Sequence, residues 1–132
     1  MKKMPNKYLT EFVDERGTLS VFLPSNVPFE IARIFIISDV PEGATRGGHG
    51  HKITTQFLLC THGEIEITKI DVSEGEQRFS LRSGEGEVVL PKNWISMKFL
   101  KDARLIVFAD KPYDPNDYFL DPREYLKLER KS

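Results

Sequence analysis

Short apolar runs, alternating with polar positions and broken by turn residues, recur along the whole chain. The stretch Glu64-Ile-Glu-Ile-Thr68 alternates polar and apolar with period two, the signature of a strand buried on one face. Similar runs at 18–23, 31–37, 57–60, 64–70, 77–81, 88–90, 96–100 and 104–109 predict strands. Between them lie Pro24-Ser-Asn26, residues 39–43, His62-Gly63, a polar turn at 71–76 and further Gly, Pro and Lys-Asp breaks. Regular short strands with such turns predict an antiparallel sandwich or barrel. Residues 115–127 mix charges with Tyr and Leu at irregular spacing and predict a turn and a short helix packed on that barrel. No linker interrupts the pattern, so a single domain over 1–132 is expected.

Composition narrows the classes. The formal charge of -1, from 19 Lys and Arg against 20 Asp and Glu, argues against nucleic acid or a membrane surface as the main partner. The single cysteine, Cys60, has no internal partner for a disulfide, which suits a reducing cytoplasm. The basic start Met-Lys-Lys-Met-Pro-Asn-Lys7 leads into no apolar segment, so no signal peptide is expected. The apolar runs are too short to span a bilayer as helices.

The chemistry concentrates in Gly43-Ala-Thr-Arg46-Gly-Gly-His49-Gly-His51-Lys-Ile-Thr-Thr-Gln56. In an extended strand, positions i and i+2 share a face, so His49 and His51 project together after a glycine-rich turn. Two adjacent imidazoles serve either as metal ligands or as an acid–base pair. The spacing resembles the cupin pattern, with Gly43, His49, His51 and Gly63 in register and Gln56 where a glutamate would stand. The later stretch that brings a further histidine in metal cupins corresponds to 86–96; it keeps Pro91 but has no histidine. Two imidazoles and a neutral amide make a poor divalent-metal site. No metal and no cofactor are therefore expected, and the pair is read as free imidazoles titrating near working pH. Arg33 and Arg46 are candidates to hold phosphates, because guanidinium matches phosphate oxygens bidentately. Gln56 is a candidate to bond a sugar hydroxyl.

Asp14-Glu-Arg-Gly17, Pro28-Phe-Glu-Ile-Ala-Arg33, Arg46-Gly-Gly-His49-Gly-His51-Lys52 and Tyr113-Asp-Pro-Asn-Asp-Tyr118 follow in order. Together they resemble the dTDP-4-keto-6-deoxyglucose 3,4-ketoisomerases, small WxcM-like cupins of deoxysugar and aminosugar biosynthesis. The resemblance implies an all-β jelly-roll cupin without a metal, a homodimer that exchanges N-terminal strands, and a dTDP-linked keto-sugar as partner. It implies movement of a ketone from C4 to C3 of the hexose by proton transfer. It carries over His49 as the leading proton-transfer candidate and His51 as its partner or relay. Arg33, Arg46, Gln56 and Lys52 carry over as substrate-binding candidates.

Two departures from the resemblance stand out. A family tyrosine on the strand holding Ile34-Phe35-Ile36 is absent, so Tyr8 or a water is expected to supply the hydroxyl. The run Trp94-Ile95-Ser96-Met97 lacks the histidine or charge that often follows the tryptophan. These departures suggest a catalytically silent sugar-nucleotide binder as an alternative reading; a 3,5-epimerase on the same 4-keto sugar and a metal-dependent cupin stand beside it as weaker ones. Elsewhere Trp94, Phe99 and Phe108 are expected in the core, as is Cys60. His62 is read as a solvated loop residue, and Lys98/Lys101 and Glu85/Glu87 as solvated faces.

Overall fold

The computed structural model describes residues 6–71 and 73–123. Twelve strands form among them: β1 (Asn6–Lys7), β2 (Leu9–Asp14), β3 (Gly17–Phe22), β4 (Arg33–Ile37), β5 (Thr45–His51) and β6 (Gln56–His62) come first. They are followed by β7 (Glu64–Asp71), β8 (Gly75–Arg82), β9 (Glu85–Val89), β10 (Trp94–Phe99), β11 (Arg104–Ala109) and β12 (Tyr118–Phe119). One five-stranded sheet has the order β1-β9-β6-β11-β4, the other β12-β5-β10-β7-β8, and all their pairings are antiparallel. The β2–β3 hairpin pairs with neither sheet.

The alternating runs decide which residues lie between the sheets. Leu58 and Cys60 of β6, Ile65 and Ile67 of β7, Ile95, Met97 and Phe99 of β10, and Leu105 and Val107 of β11 form one buried cluster. Phe35 and Ile37 of β4 pack against it. The intervening residues of β6 and β11 point the other way. Phe57, Leu59 and Phe108 form a second cluster with Val27, covered by Tyr8, Leu9, Phe22, Phe29 and Ile31. β6 is thus buried on both faces, which explains its nearly unbroken apolar run.

Several expectations change. Gly47 and Gly48 do not form a turn before the strand. They lie inside β5 at φ 85° and 73°. The β5–β10 register slips there, with Ile95 opposite His49 and Ser96 opposite Gly47. Gly48 is therefore the extra residue of a β-bulge, a backbone conformation that side chains with a Cβ rarely adopt. Glu85 and Glu87 are not solvated. Both are buried on β9, where Glu85 accepts the Arg82 N–H at 2.7 Å and Glu87 pairs with Lys69 at 3.4 Å. These contacts offset part of the cost of burying the two carboxylates.

The helix expected within 115–127 is not formed over its first part. Pro115–Asp117 is a single 3-10 turn, started by the Asp114 side chain accepting from the Asn116 N–H. Tyr118 and Phe119 then extend along β5, where β12 satisfies their backbone groups. Residues 124–127 of that expectation lie outside the described residues. Trp94, half-buried, is on the outer side of β10 and donates its Nε1–H to the Leu120 carbonyl at 2.8 Å. Phe99, Phe108 and Cys60 are core residues, and His62 is exposed, as expected. Burial raises the Cys60 thiol to about 11, so it is inert as a nucleophile. No helix among the described residues is long and apolar enough to cross a membrane.

Candidate active site

The bulge in β5 aims the histidines. Opposite residues of an antiparallel pair share a face, and Ile95 is a core residue, so His49 faces inward beside it. His51, two residues on, shares that face. The two rings lie 5.4 Å apart, centroid to centroid, as the spacing predicted. Gln56 is buried on the inner face of β6, in register with Leu58 and Cys60. It lies opposite Ala109 of β11, which in turn lies opposite Arg33 of β4. The small Ala109 side chain leaves room between the long side chains of Gln56 and Arg33.

Residues 113–118 contribute what the motif around His49 did not contain. The Tyr118 ring lies 4.4 Å from that of His51 and 5.0 Å from that of His49. Tyr113 lies 6.0 Å from Tyr118, and its ring is 5.8 Å from the Arg33 guanidinium. Asp117 is buried and bonds His51 Nδ1 through Oδ2 at 2.8 Å. The same carboxylate accepts the Ile53 N–H at 2.7 Å on Oδ1 and the Thr54 hydroxyl on Oδ2. The Asp117 carbonyl also accepts the Lys52 N–H at 2.7 Å.

Electrostatics follow from burial and from these bonds. Burial pushes the His49 imidazolium down, and His51 reinforces this against a backbone hydrogen bond at Gly47. His51 also lies below its ordinary value: burial dominates and the Arg33 charge adds to it, while Asp117 opposes. For Asp117, burial raises the pKa, but the bonds from Thr54, Ile53 and His51 together hold it below the usual carboxylate range. Both imidazoles are therefore neutral, and Asp117 ionised, near neutral pH. His51 Nε2 and Arg33 Nε are buried without a hydrogen-bond partner.

The other sequence candidates are placed less centrally. Arg46 and Lys52 are exposed, flanking the two histidines in β5 and just after it. Tyr8 does not reach the site. It packs edge-on against Phe57 at 5.0 Å, on the opposite face of the first sheet from Gln56. Sequence pattern does not mark Asp117 itself, because its partner lies 66 residues away; only the tail motif marks the segment that carries it. Among the described residues, no group of three or more His, Cys, Asp or Glu is placed to hold a metal ion.

The geometry joins a bulged His-x-His strand to a tyrosine-bearing tail. The family described as FdtA: WxcM-like, C-terminal, matches residues 2–130. The chain belongs to this family. A TDP-4-oxo-6-deoxy-alpha-D-glucose-3,4-oxoisomerase of Aneurinibacillus thermoaerophilus is 33% identical over 120 residues, 87% of this chain and 86% of the relative. The TDP-quinovose 3,4-ketoisomerase WlaRB of Campylobacter jejuni has 31% identity and a TM-score of 0.77, over 90% of this chain and 93% of that one. A mutant of the 3,4-ketoisomerase QdtA of Thermoanaerobacterium thermosaccharolyticum, in complex with TDP-4-keto-6-deoxyglucose, has 26% identity and a TM-score of 0.78. That match covers 95% of this chain and 92% of QdtA. These homologues are isomerases. The all-β cupin-like fold extends further, to an rmlC epimerase of Mycobacterium tuberculosis at 16% identity and a TM-score of 0.68, covering 86% of this chain and 66% of the epimerase.

Proposed function

We propose that this family member is a sugar-nucleotide 3,4-ketoisomerase acting on TDP-4-keto-6-deoxyglucose or a closely related 4-keto-hexose. The observation that carries the reading is the buried His51 Nε2, which has no protein partner and stands among His49, Tyr118 and Arg33. A buried acceptor left open in this way is suited to receive a proton from a ligand. This exchanges the expected order of the histidines: His51 is the base at C3 and His49 the partner that bonds the ring oxygens. Removal of the C3 proton sends its electron pair into the C3–C4 bond, and the former C4 carbonyl oxygen takes a proton. The resulting enediol collapses from its C3 hydroxyl, forming the C3 ketone while C4 is protonated. Atoms and electrons balance within the sugar.

Tyr118 takes the place expected of Tyr8 as the hydroxyl beside the ring, since its ring meets both imidazoles. Arg33 and Gln56 line the sugar space, and Arg46 and Lys52 meet the diphosphate. The working assembly is a homodimer that exchanges N-terminal strands. The β2–β3 hairpin supports this, with Phe12 and Leu19 exposed and no further strand beside it among the described residues. So does β4, an edge strand with Ile34 and Ile36 turned outward. The whole chain acts as one domain, and the free buried thiol of Cys60 suits the cytoplasm.

The test is incubation with TDP-4-keto-6-deoxyglucose in deuterated water. Exchange at C3 and a 3-keto product are expected, and His51→Asn should lower the rate by about 10²–10⁴-fold. The absence of both exchange and product would overturn the assignment. A catalytically silent binder is the second reading, favoured by Phe35 packing into the core where a family tyrosine is expected. Tight TDP binding without isotope exchange would establish it, whereas exchange at C5 would point to an epimerase.

A further inference from the structure

Asp117 reaches His51 from outside the His-x-His strand, and its surroundings differ from those of an ordinary surface carboxylate. It is only 5% exposed, and its oxygens accept from three groups on the segment that follows His49. The Ile53 N–H holds Oδ1, while the Thr54 hydroxyl and His51 Nδ1 share Oδ2. Residues 51–54 therefore wrap the carboxylate, and the Lys52 N–H fastens its backbone carbonyl as well. The carboxylate is fixed in both position and rotation.

We infer that Asp117 is a positioning residue for the isomerisation proposed above, setting the tautomer and ring angle of His51, with Thr54 holding Asp117 in turn. An ionised carboxylate has no proton to donate, so the hydrogen in the 2.8 Å contact belongs to His51 Nδ1. In a neutral imidazole, Nε2 is then the bare acceptor. That nitrogen is the buried atom without a protein partner. The other tautomer would place two lone pairs against each other across the Asp117 contact and would cap the base with its own proton. Once His51 takes the C3 proton, the adjoining carboxylate also stabilises the imidazolium, offsetting the positive charge of Arg33 nearby. The role rests on the ketoisomerase reading, but the tautomer does not.

Two measurements separate them. In ¹⁵N NMR of the unliganded wild-type protein near neutral pH, His51 is expected as the Nδ1–H tautomer, and Asp117→Asn should remove that preference. An Nε2–H tautomer in the wild type would overturn the inference whether or not the protein is an isomerase. Kinetically, Asp117→Asn should lower kcat by about 10²-fold or more while KM for TDP-4-keto-6-deoxyglucose stays within about threefold. Asp117→Glu should recover part of the loss. Thr54→Val, which keeps the His51–Asp117 pair, should cost less, on the order of 3–10-fold in kcat. Undiminished kcat in Asp117→Asn, or an equal effect on KM and kcat, would also overturn it. If Asp117→Asn does not fold, the wild-type tautomer and Thr54→Val decide. A wild type that binds TDP and shows the Nδ1–H tautomer without turnover would refute the isomerase reading and leave the pairing intact.

Discussion

The β2–β3 hairpin and the segment ending in β12 both lie outside the long strands of the two sheets, yet they are held in opposite ways. Residues 114–120 are fastened at almost every step. Asp114 caps the turn, Asp117 is wrapped by residues 51–54, Phe119 packs on Gly50, and Trp94 holds the Leu120 carbonyl. The hairpin has its own ladder from Leu9–Phe22 to Asp14–Gly17 and an Arg16–Asp14 bond at its tip, while Phe12, Val13 and Leu19 stay exposed. Polar, directional bonds place a group to within a fraction of an ångström, which proton transfer requires. Exposed apolar side chains on an unpaired ribbon fit association with a second copy, where area matters more than angle.

Breaking the fastening of the tail should have the largest effect. A Cβ on Gly50 would overlap the Phe119 ring and lie 2.5 Å from the Asn93 carbonyl oxygen. Gly50→Ala should therefore cost roughly 1–3 kcal/mol in chemical denaturation, as overpacking does. It should also lower kcat, because β12 carries Tyr118 and follows Asp117. Unchanged stability and kcat would show that the tail is not held through this contact. On the proposed homodimer, Ile36→Asp at the exposed β4 edge should shift dimer to monomer in analytical ultracentrifugation, with far-UV circular dichroism preserved. A dimer of unchanged affinity would remove the exchange of strands along β4.

Trp94→Phe should be milder. It deletes one hydrogen bond to Leu120, worth about 1 kcal/mol, and retains most of the ring packing. Equilibrium unfolding measures this, and a loss near zero would mean that the tail holds without it. The smallest effect expected is one of pH. Both histidines have folded pKa values below the unfolded value of about 6.5, so the unfolded chain binds more protons in that range. Their contribution to stability is complete above about pH 6.5 and is lost as pH falls through the folded values. Denaturation from pH 7.5 to 5 should show this slope, and it should flatten in the His49→Asn, His51→Asn double variant.

Much of the molecule is legible in local pattern. The inner faces of β7, β10 and β11 follow period-two alternation or short apolar runs. The pairing of His49 with His51 needs only the i, i+2 rule. β2 is the instructive omission: both of its faces are largely exposed, so no alternation marks it, and adjacent Phe12 and Val13 look like no half-buried strand. Gly47 and Gly48 look like a turn because positive φ is needed in either case. Only pairing with β10 makes them a bulge. Glu85 and Glu87 look solvated because the Lys69 ammonium reaches Glu87 from the facing sheet, and the Arg82 N–H meets Glu85 only through the tight link between β8 and β9.

By itself, then, the sequence determined an all-β chain with two imidazoles on one strand face, since strand periodicity and the His-x-His spacing are local properties. The cupin and the ketoisomerase family were legible through matching motifs in order. Tertiary structure alone decided which imidazole is buried and oriented, that Asp117 and Tyr118 stand beside it, and that Tyr8 does not. Hydrogen bonds and ring contacts act over a few ångströms, and the groups that make them here are 66 residues apart in the case of His51 and Asp117. Only the docking of β12 on β5 closes that distance.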